Sequence, residues 1–204
     1  MREFILIPVF LLVSSLDLFA QNRTEDFEIT LPEQKIGNSL YNMIAFIDSR
    51  YDTTFMGIVQ LGAFNKKAKV VPETPFSTQL KNVLNSLTDA TSKDGELLFQ
   101  LRQFNFAEVT GAMSEKGYCY VRADLYARLD GSYQKINSID TVIFIKAMDV
   151  TRALFRKGSR TMTDFIAGSL LKKPYDSNYY SLNDVIKMDS IEKRRIKVYN
   201  TSKY

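Results

Sequence analysis

The sequence contains no histidine, no tryptophan and one cysteine among its 204 residues. Without histidine, Ser-His-Asp catalysis, Cys-His catalysis and the common zinc sites that contain histidine are excluded. The single cysteine, Cys119, permits no disulfide within the chain, and its apolar neighbours indicate a small core residue rather than a nucleophile. Glycine-rich phosphate loops, Cys-x-x-Cys and Gly-x-Ser-x-Gly are also missing. The sequence therefore predicts no catalytic residue, no cofactor and no metal.

The first 20 residues have the composition of a signal peptide. Arg2 supplies a positive charge, Phe4 to Leu16 form an apolar segment, and Ala20 precedes the expected cleavage site. The apolar segment is too short for a membrane-spanning helix, which needs about 20 residues, and no cysteine follows it to carry a lipid anchor. We therefore expect a periplasmic or otherwise exported protein that is soluble after removal of residues 1–20, with no transmembrane segment and no nucleic-acid partner.

Positive charge is concentrated in the last third of the chain. Residues 22–145 carry 13 basic and 15 acidic side chains, whereas residues 146–204 carry 13 basic and 6 acidic ones. Lys193, Arg194 and Arg195 form a short basic cluster in this part. Two interpretations follow. Either the basic third binds an acidic partner or an anionic surface, or exposed helices and a tail carry charge for solubility.

The clearest pattern in the sequence is an alternation of apolar and polar residues from Tyr118 to Leu129. Side chains of a β-strand alternate between the two faces of a sheet, so this pattern predicts one long strand. The face expected to be buried carries Cys119, Val121, Ala123, Leu125, Ala127 and Leu129. The face expected to be in solvent carries Tyr118, Tyr120, Arg122, Asp124, Tyr126 and Arg128.

Antiparallel partners of this strand are predicted on both sides of it. Glu96 to Phe106 alternates as a strand, but its apolar phase slips after Leu101, which predicts a β-bulge near Arg102 or Gln103. The Asp130-Gly131 pair favours a tight turn into a third strand from Tyr133 to about Ile145. Val142 to Ile145 is apolar at every position, so we expect both faces of this strand to be covered.

The remaining patterns complete an α+β fold. Shorter strands are predicted near Asn42–Ile47, at Phe55–Leu61 and at Lys69–Val71. The fold class is thus a mixed or antiparallel sheet with a long central β-hairpin at about 96–145, packed against two helices at about 75–90 and 150–172. Residues 21–38 are expected to form a flexible N-terminal segment, 39–173 a single domain, and 174–204 a basic C-terminal extension.

Two groups of residues are candidate binding sites. Asp48 and Arg50 are two positions apart and can pair directly, with Asp52 in the turn that follows. They either pin this turn or form a ligand or partner site on a loop. Tyr118, Tyr120 and Arg122 are typical of binding surfaces, although such a face is more often covered by a helix of the same domain.

The order of the predicted elements resembles a known layout. The elements are a strand that ends in Asp48-x-Arg50, a strand with Gly57, the helix from Thr74 to Leu87, and a hairpin of Leu97–Phe106 and Tyr118–Leu129. Over Asn42 to Leu170 this layout is similar to the N-terminal domain of the TolB translocation protein and to related bacterial lipoproteins without assigned function. Those lipoproteins carry a cysteine at the processing site, and this chain does not. The resemblance implies an envelope compartment and a fold more than an activity.

Three functional hypotheses remain. The leading one is an exported binding or assembly module of the bacterial cell envelope, whose partner is another envelope protein or envelope component. The second is a hydrolase acting on envelope glycans through two carboxylates, either Glu108 and Glu115 or Asp48 and Asp52. The third is a structural subunit of a homo-oligomer assembled through an exposed sheet edge.

Overall fold

A computed structural model describes residues 23–62, 64–111, 113–175 and 177–193, with the backbone alone for the last five of them. The strands are β1 (Thr24–Phe27), β2 (Tyr41–Asp48), β3 (Gly57–Leu61), β4 (Lys66–Pro72), β5 (Gly95–Thr110), β6 (Glu115–Leu129) and β7 (Ser132–Ala147). The helices are α1 (Phe76–Leu87), α2 (Thr151–Ala167) and α3 (Leu182–Lys193). The predicted fold class is confirmed: one mixed sheet packs against helices in an α+β arrangement.

The sheet is built around β5, which has two partners along one of its sides. The strand order is β1-β4-β3-β5-β6-β7, and β2 also pairs with β5. Strand β2 runs parallel to the first half of β5, and β3 runs parallel to its second half. The two short strands therefore follow one another along the same side of β5. The loop between them, residues 49–56, lies where one strand ends and the next begins.

The central hairpin has the predicted features. Asp130 and Gly131 both adopt positive φ angles, 48° and 81°, as a type I′ turn requires. The β5–β6 register shifts between Leu101 and Gln103, so the predicted bulge is confirmed, with Arg102 as the extra residue. Leu129, expected on the buried face, is instead 41% exposed because it lies beside the turn.

A phenylalanine cluster forms the centre of the core between the sheet and the first two helices. Phe27 contacts the rings of Phe76, Phe104, Phe106 and Phe155, with ring centroids 5.0–6.5 Å apart. The described part of the N-terminal segment at 21–38, which was expected to be flexible, contains strand β1. Strand β1 pairs with β4, and the buried side chain of Phe27 anchors this segment to the core.

The described residues cover only part of the second face of the sheet. Helix α3 and the segment before it lie over one half, where Leu98, Tyr126, Tyr133 and Val185 form a small buried cluster. Asp124 and Tyr126 were expected in solvent, yet both are buried there. Within the predicted C-terminal extension, 174–204, Tyr180, Val185 and Met188 pack on the sheet. In the other half Val142 and Phe144 are exposed, so the expectation that both faces of β7 are covered is wrong.

Candidate functional site

The predicted Asp48–Arg50 pair fastens the loop between β2 and β3. The guanidinium of Arg50 binds both carboxylate oxygens of Asp48, at 2.8–3.2 Å. It also donates to the carbonyl oxygens of Thr53 and Phe55 and lies 5.5 Å from the ring centre of Phe76. The Arg50 side chain is buried. These contacts favour the interpretation in which the pair pins a turn.

Asp52 serves a separate turn in the same loop. One of its carboxylate oxygens accepts hydrogen bonds from the backbone N–H and the hydroxyl of Thr54, at 2.8 and 2.5 Å. Those hydrogen bonds lower the pKa of the Asp52 carboxyl, with a smaller contribution from Arg50. Asp48 and Asp52 are therefore each bound within their own turn. Asp48 lies at the end of β2 and pairs with Arg50, whereas Asp52 lies in the following loop and binds Thr54.

A polar cluster lies beneath α3 in the covered half of the second sheet face. Asp124 accepts contacts from Arg102 Nε at 2.7 Å and from Lys135 Nζ at 3.0 Å. Beside it, Gln100 donates to the carbonyl oxygen of Val185 at 3.0 Å. The alternating pattern of β6 gave no sign of this cluster, because a charged residue in such a pattern is ordinarily in solvent. The cluster is buried, and its Gln100 hydrogen bond joins α3 to the sheet.

The uncovered half of the same face brings together the predicted residues of β6 and two unpredicted residues of β7. The three strands β5, β6 and β7 contribute three rows of facing residues: Ala107–Tyr118–Phe144, Asn105–Tyr120–Val142 and Gln103–Arg122–Asp140. We call Tyr118, Tyr120, Arg122, Val142 and Phe144 the open face. Its β7 members are well exposed, Val142 at 58% and Phe144 at 52%.

Contacts between strands fix the side chains of the open face. The rings of Tyr118 and Phe144 lie 5.2 Å apart. The Tyr120 hydroxyl donates to Asp140 Oδ1 at 2.9 Å, and Arg122 Nε lies 3.7 Å from Asp140 Oδ2. Partial burial, with the hydrogen bond to Asp140, raises the pKa of Tyr120, so its hydroxyl remains a neutral donor at physiological pH. The result is an aromatic surface bordered by an ion pair.

The hydrolase hypothesis named Glu108 and Glu115 as one of its carboxylate pairs. Both residues lie near the turn between β5 and β6. Glu115 lines a cleft of about 730 Å³, and its Oε2 accepts the N–H of Val150 at the start of α2, at 3.3 Å. Glu108 lines an adjoining hollow of about 460 Å³, and its Oε2 accepts the N–H of Gln60 at 2.7 Å. Each carboxylate thus holds a neighbouring backbone group, and the two line different hollows.

Burial raises the pKa of Glu108, and the nearby charges of Glu115 and Asp149 add to this rise. The folded protein therefore binds this proton more tightly than the unfolded chain. Stability supplied by the protonated form is present at low pH and decreases as the pH rises above the ordinary glutamate value of 4.5. We expect Glu108→Gln to remove part of this decrease. Urea unfolding of both proteins at several pH values between 4 and 7 checks the prediction, and parallel stability curves would contradict it.

The predicted basic cluster falls largely outside the described residues. The backbone of Lys193 is the last position of α3, while its side chain, Arg194 and Arg195 lie beyond the described part. Helix α2 places other charges of the basic third in solvent. Its exposed side chains include Arg152, Arg156, Lys157 and Arg160, and Arg160 lies 3.5 Å from Asp164. Exposure of these groups agrees with either interpretation of the basic third.

The described residues show neither a metal-ion cluster nor a membrane-spanning helix. They contain no group of three or more histidine, cysteine, aspartate or glutamate side chains that could hold a metal ion. Within the same residues, no helix combines the length and the apolar character needed to cross a membrane. Cys119 is buried, and burial raises its pKa to about 12, so its thiol is unreactive as expected of a core residue.

Comparisons with other proteins give a structural likeness. No protein-family model matches the sequence, and no curated protein matches it. Among solved structures, the chain is similar to the crystal structure of protein XCC0632 from Xanthomonas campestris, whose family model is DUF330. The two are 11% identical, the match covers 72% of this chain and 95% of that one, and the TM-score is 0.44. A likeness at this level carries no functional argument, and the resemblance to TolB stays a prediction.

Proposed function

We propose that this chain is a non-catalytic binding module that holds a protein partner on its open face. The observation that carries the proposal is the exposure of Val142 and Phe144 beside Tyr118 and Tyr120, on a sheet face whose other half is covered by the chain itself. Exposed apolar side chains that lie together, rather than singly, are typical of interaction sites.

The composition of the open face is typical of a surface that binds another protein. Tyrosine, phenylalanine and arginine are enriched among the residues that dominate binding energies in protein complexes. Tyr118 packs on Phe144, and Tyr120 is hydrogen-bonded to Asp140, so these side chains are held in place before a partner arrives. Little side-chain entropy is then lost on binding. The open face therefore provides an aromatic centre with a charged border formed by Arg122 and Asp140.

The partner that we propose is a protein of the bacterial cell envelope. We infer the compartment of the partner from the signal-like composition of residues 1–20. We infer the chemistry of its surface from the residues of the open face. Such a partner would insert an apolar side chain beside Tyr118 and Phe144 and approach the Arg122–Asp140 pair with polar groups. The exposed arginines of α2 provide a second surface, and the open face is favoured because it combines apolar and charged groups.

The test is site-specific crosslinking in cells. A photoreactive phenylalanine analogue replaces Tyr118, and in the control it replaces Tyr51, a tyrosine that is 96% exposed in the β2–β3 loop. We expect a discrete adduct from position 118 and none of the same mass from position 51. Combining the probe with Tyr120→Ala or Arg122→Ala should reduce the adduct about tenfold. Identical adducts from both positions, or none from 118, would overturn the proposal.

A further inference from the structure

Strand β7 ends the sheet and leaves one side of its backbone open. Near its start, Tyr133 exchanges hydrogen bonds with Tyr180, and the Lys135 carbonyl accepts the N–H of Tyr175 at 3.3 Å. From Ile136 to Ala147 its only strand partner among the described residues is β6. Its outer N–H and C=O groups form a template for another strand.

The open edge lacks the usual protection against pairing. Proteins block exposed edges with charged side chains, proline, bulges or short strands. Here the five residues from Thr141 to Ile145 contain no charge, proline or glycine, and charged residues lie only at the two ends of this apolar segment, Asp140 and Lys146. Val142 and Phe144 are also largely exposed. An edge of this length and composition favours a strand partner.

The charges of the edge are self-complementary. We propose that two copies of this chain pair through β7 in antiparallel orientation, around a two-fold axis at Ile143. In this register Asp140 of one copy lies opposite Lys146 of the other, and the symmetry repeats the contact. Val142 lies opposite Phe144 of the second copy, on the same sheet face. Cross-strand pairs of opposite charge and of apolar with aromatic residues both stabilise antiparallel strands.

The surroundings of the two charges support this register. Within one chain the residue opposite Lys146 is Lys116, so the two side chains have like charge, which is unfavourable across a strand pair. Asp140 of a second copy would place a carboxylate beside them. The Asp140 side chain is 60% exposed, and a carboxylate can accept further hydrogen bonds besides those from Tyr120 and Arg122.

The dimer has a consequence for the open face. A two-fold axis perpendicular to the sheet places the second faces of both copies on the same side of one continuous sheet. The two open faces then lie next to each other, joined along Val142 and Phe144. This inference goes beyond the proposed function, since the edge can pair whether or not the face binds a partner.

The first test is charge reversal in the chain from Gln21 onward, measured by sedimentation velocity over a range of concentrations. Asp140→Lys places a lysine opposite Lys146 of the second copy, and Lys146→Asp places an aspartate opposite Asp140. Each change creates two like-charge pairs in the dimer, so we expect the dimer dissociation constant to rise about tenfold or more. The double variant Asp140→Lys with Lys146→Asp should restore association.

The double variant isolates the contact between copies. It does not restore the hydrogen bond between Tyr120 and Asp140 or the Arg122–Asp140 pair, because both lie within one chain. If Asp140→Lys weakened association by disrupting these contacts within one chain, association would therefore stay weak in the double variant. Recovery of dimerisation is expected only where the two charges face each other across the edge. Weak association in both single variants and in the double variant would overturn this register.

The second test reads the register directly. Residues that face one another in antiparallel strands have Cα atoms about 4.5–5.5 Å apart, within the range of a disulfide. Ile143→Cys should therefore crosslink to itself in the second copy under mild oxidation. Thr141→Cys should not crosslink alone but should do so when mixed with Ile145→Cys, since these positions lie opposite each other. The buried Cys119 thiol provides no competing reaction.

Two outcomes would reject the proposal. One is a monomeric mass at all concentrations with no disulfide from Ile143→Cys, which would leave the edge to residues 194–204 or to another protein. The other is a dimer that forms without the predicted crosslinks, which would place the contact elsewhere. Photocrosslinking from Tyr118 distinguishes the two proposals, because a partner adduct on a monomeric chain supports the binding function alone.

Discussion

Replacing Asp124 by alanine is expected to lower the free energy of unfolding by about 3–5 kcal/mol, because it removes a buried carboxylate that pairs with the buried guanidinium of Arg102. Arg102 is 3% exposed, and its Nε lies 2.7 Å from the carboxylate that the substitution removes. Lys135 loses its contact with the same carboxylate, but its side chain is nearer to solvent. Urea unfolding followed by circular dichroism measures the change.

Asp140→Ala is the matched control. It also removes an aspartate that pairs with an arginine on the same sheet face, but this side chain is 60% exposed. Exposed pairs contribute roughly 0.2–1 kcal/mol, so the loss should be several times smaller than for Asp124→Ala. The double variant Arg102→Met with Asp124→Leu should cost less than Asp124→Ala alone, since it removes both buried charges. Equal losses at Asp124 and Asp140 would show that α3 does not cover this half of the sheet.

The register shifts on the two sides of β6 show what the sequence could reveal about register. The bulge at Arg102 was visible because apolar residues change face between Leu101 and Phe104. A second shift lies between Leu125 and Tyr126 of β6, opposite Ile136 of β7. It left no trace in the pattern, because Val142 to Ile145 is apolar at every position. Counting from the Asp130-Gly131 turn alone would place Ile143 opposite Tyr118.

The extra residue at this shift, Ile136, decides which side chains form the open face. With the shift, Phe144 lies opposite Tyr118 and Val142 lies opposite Tyr120, both on the uncovered side. Without it they would point to the helices. The β6 half of the candidate site was therefore predictable from alternation. The β7 half depended on a register that neither propensity nor hydrophobicity specified.

Which half of this face a helix covers could not be predicted, for a different reason. Among the described side chains of α3, Val185 and Met188 pack on the sheet, in a segment whose other residues are mostly polar. The residues it covers include Asp124, and the pattern alone assigns a charged residue to solvent. Only the partners of Asp124, which come from β5 and β7, make its burial favourable. Local pairs were predictable by contrast, since Asp48 and Arg50 are two residues apart on the same strand end.

Tyr126→Ala and Leu125→Ala are expected to destabilise the protein by similar amounts, although their side chains point to opposite faces of β6. Leu125 is fully buried beneath the helices, and Tyr126 is fully buried beneath Tyr180 and α3. Large-to-small changes at such positions cost about 2–5 kcal/mol for leucine and 3–5 kcal/mol for a large aromatic residue. Urea unfolding of the two variants measures both losses under the same conditions.

Tyr120→Ala serves as the comparison on the same strand. Tyr120 and Tyr126 lie on one face of β6, but only Tyr126 is under α3, so truncation of Tyr120 should cost much less. A small loss at Tyr126, equal to that at Tyr120, would mean that the whole second face is in solvent. A large loss at Tyr126 and a small one at Tyr120 would instead locate the boundary of the open face between them. The aromatic residues available to a partner would then be those nearest the turn between β5 and β6.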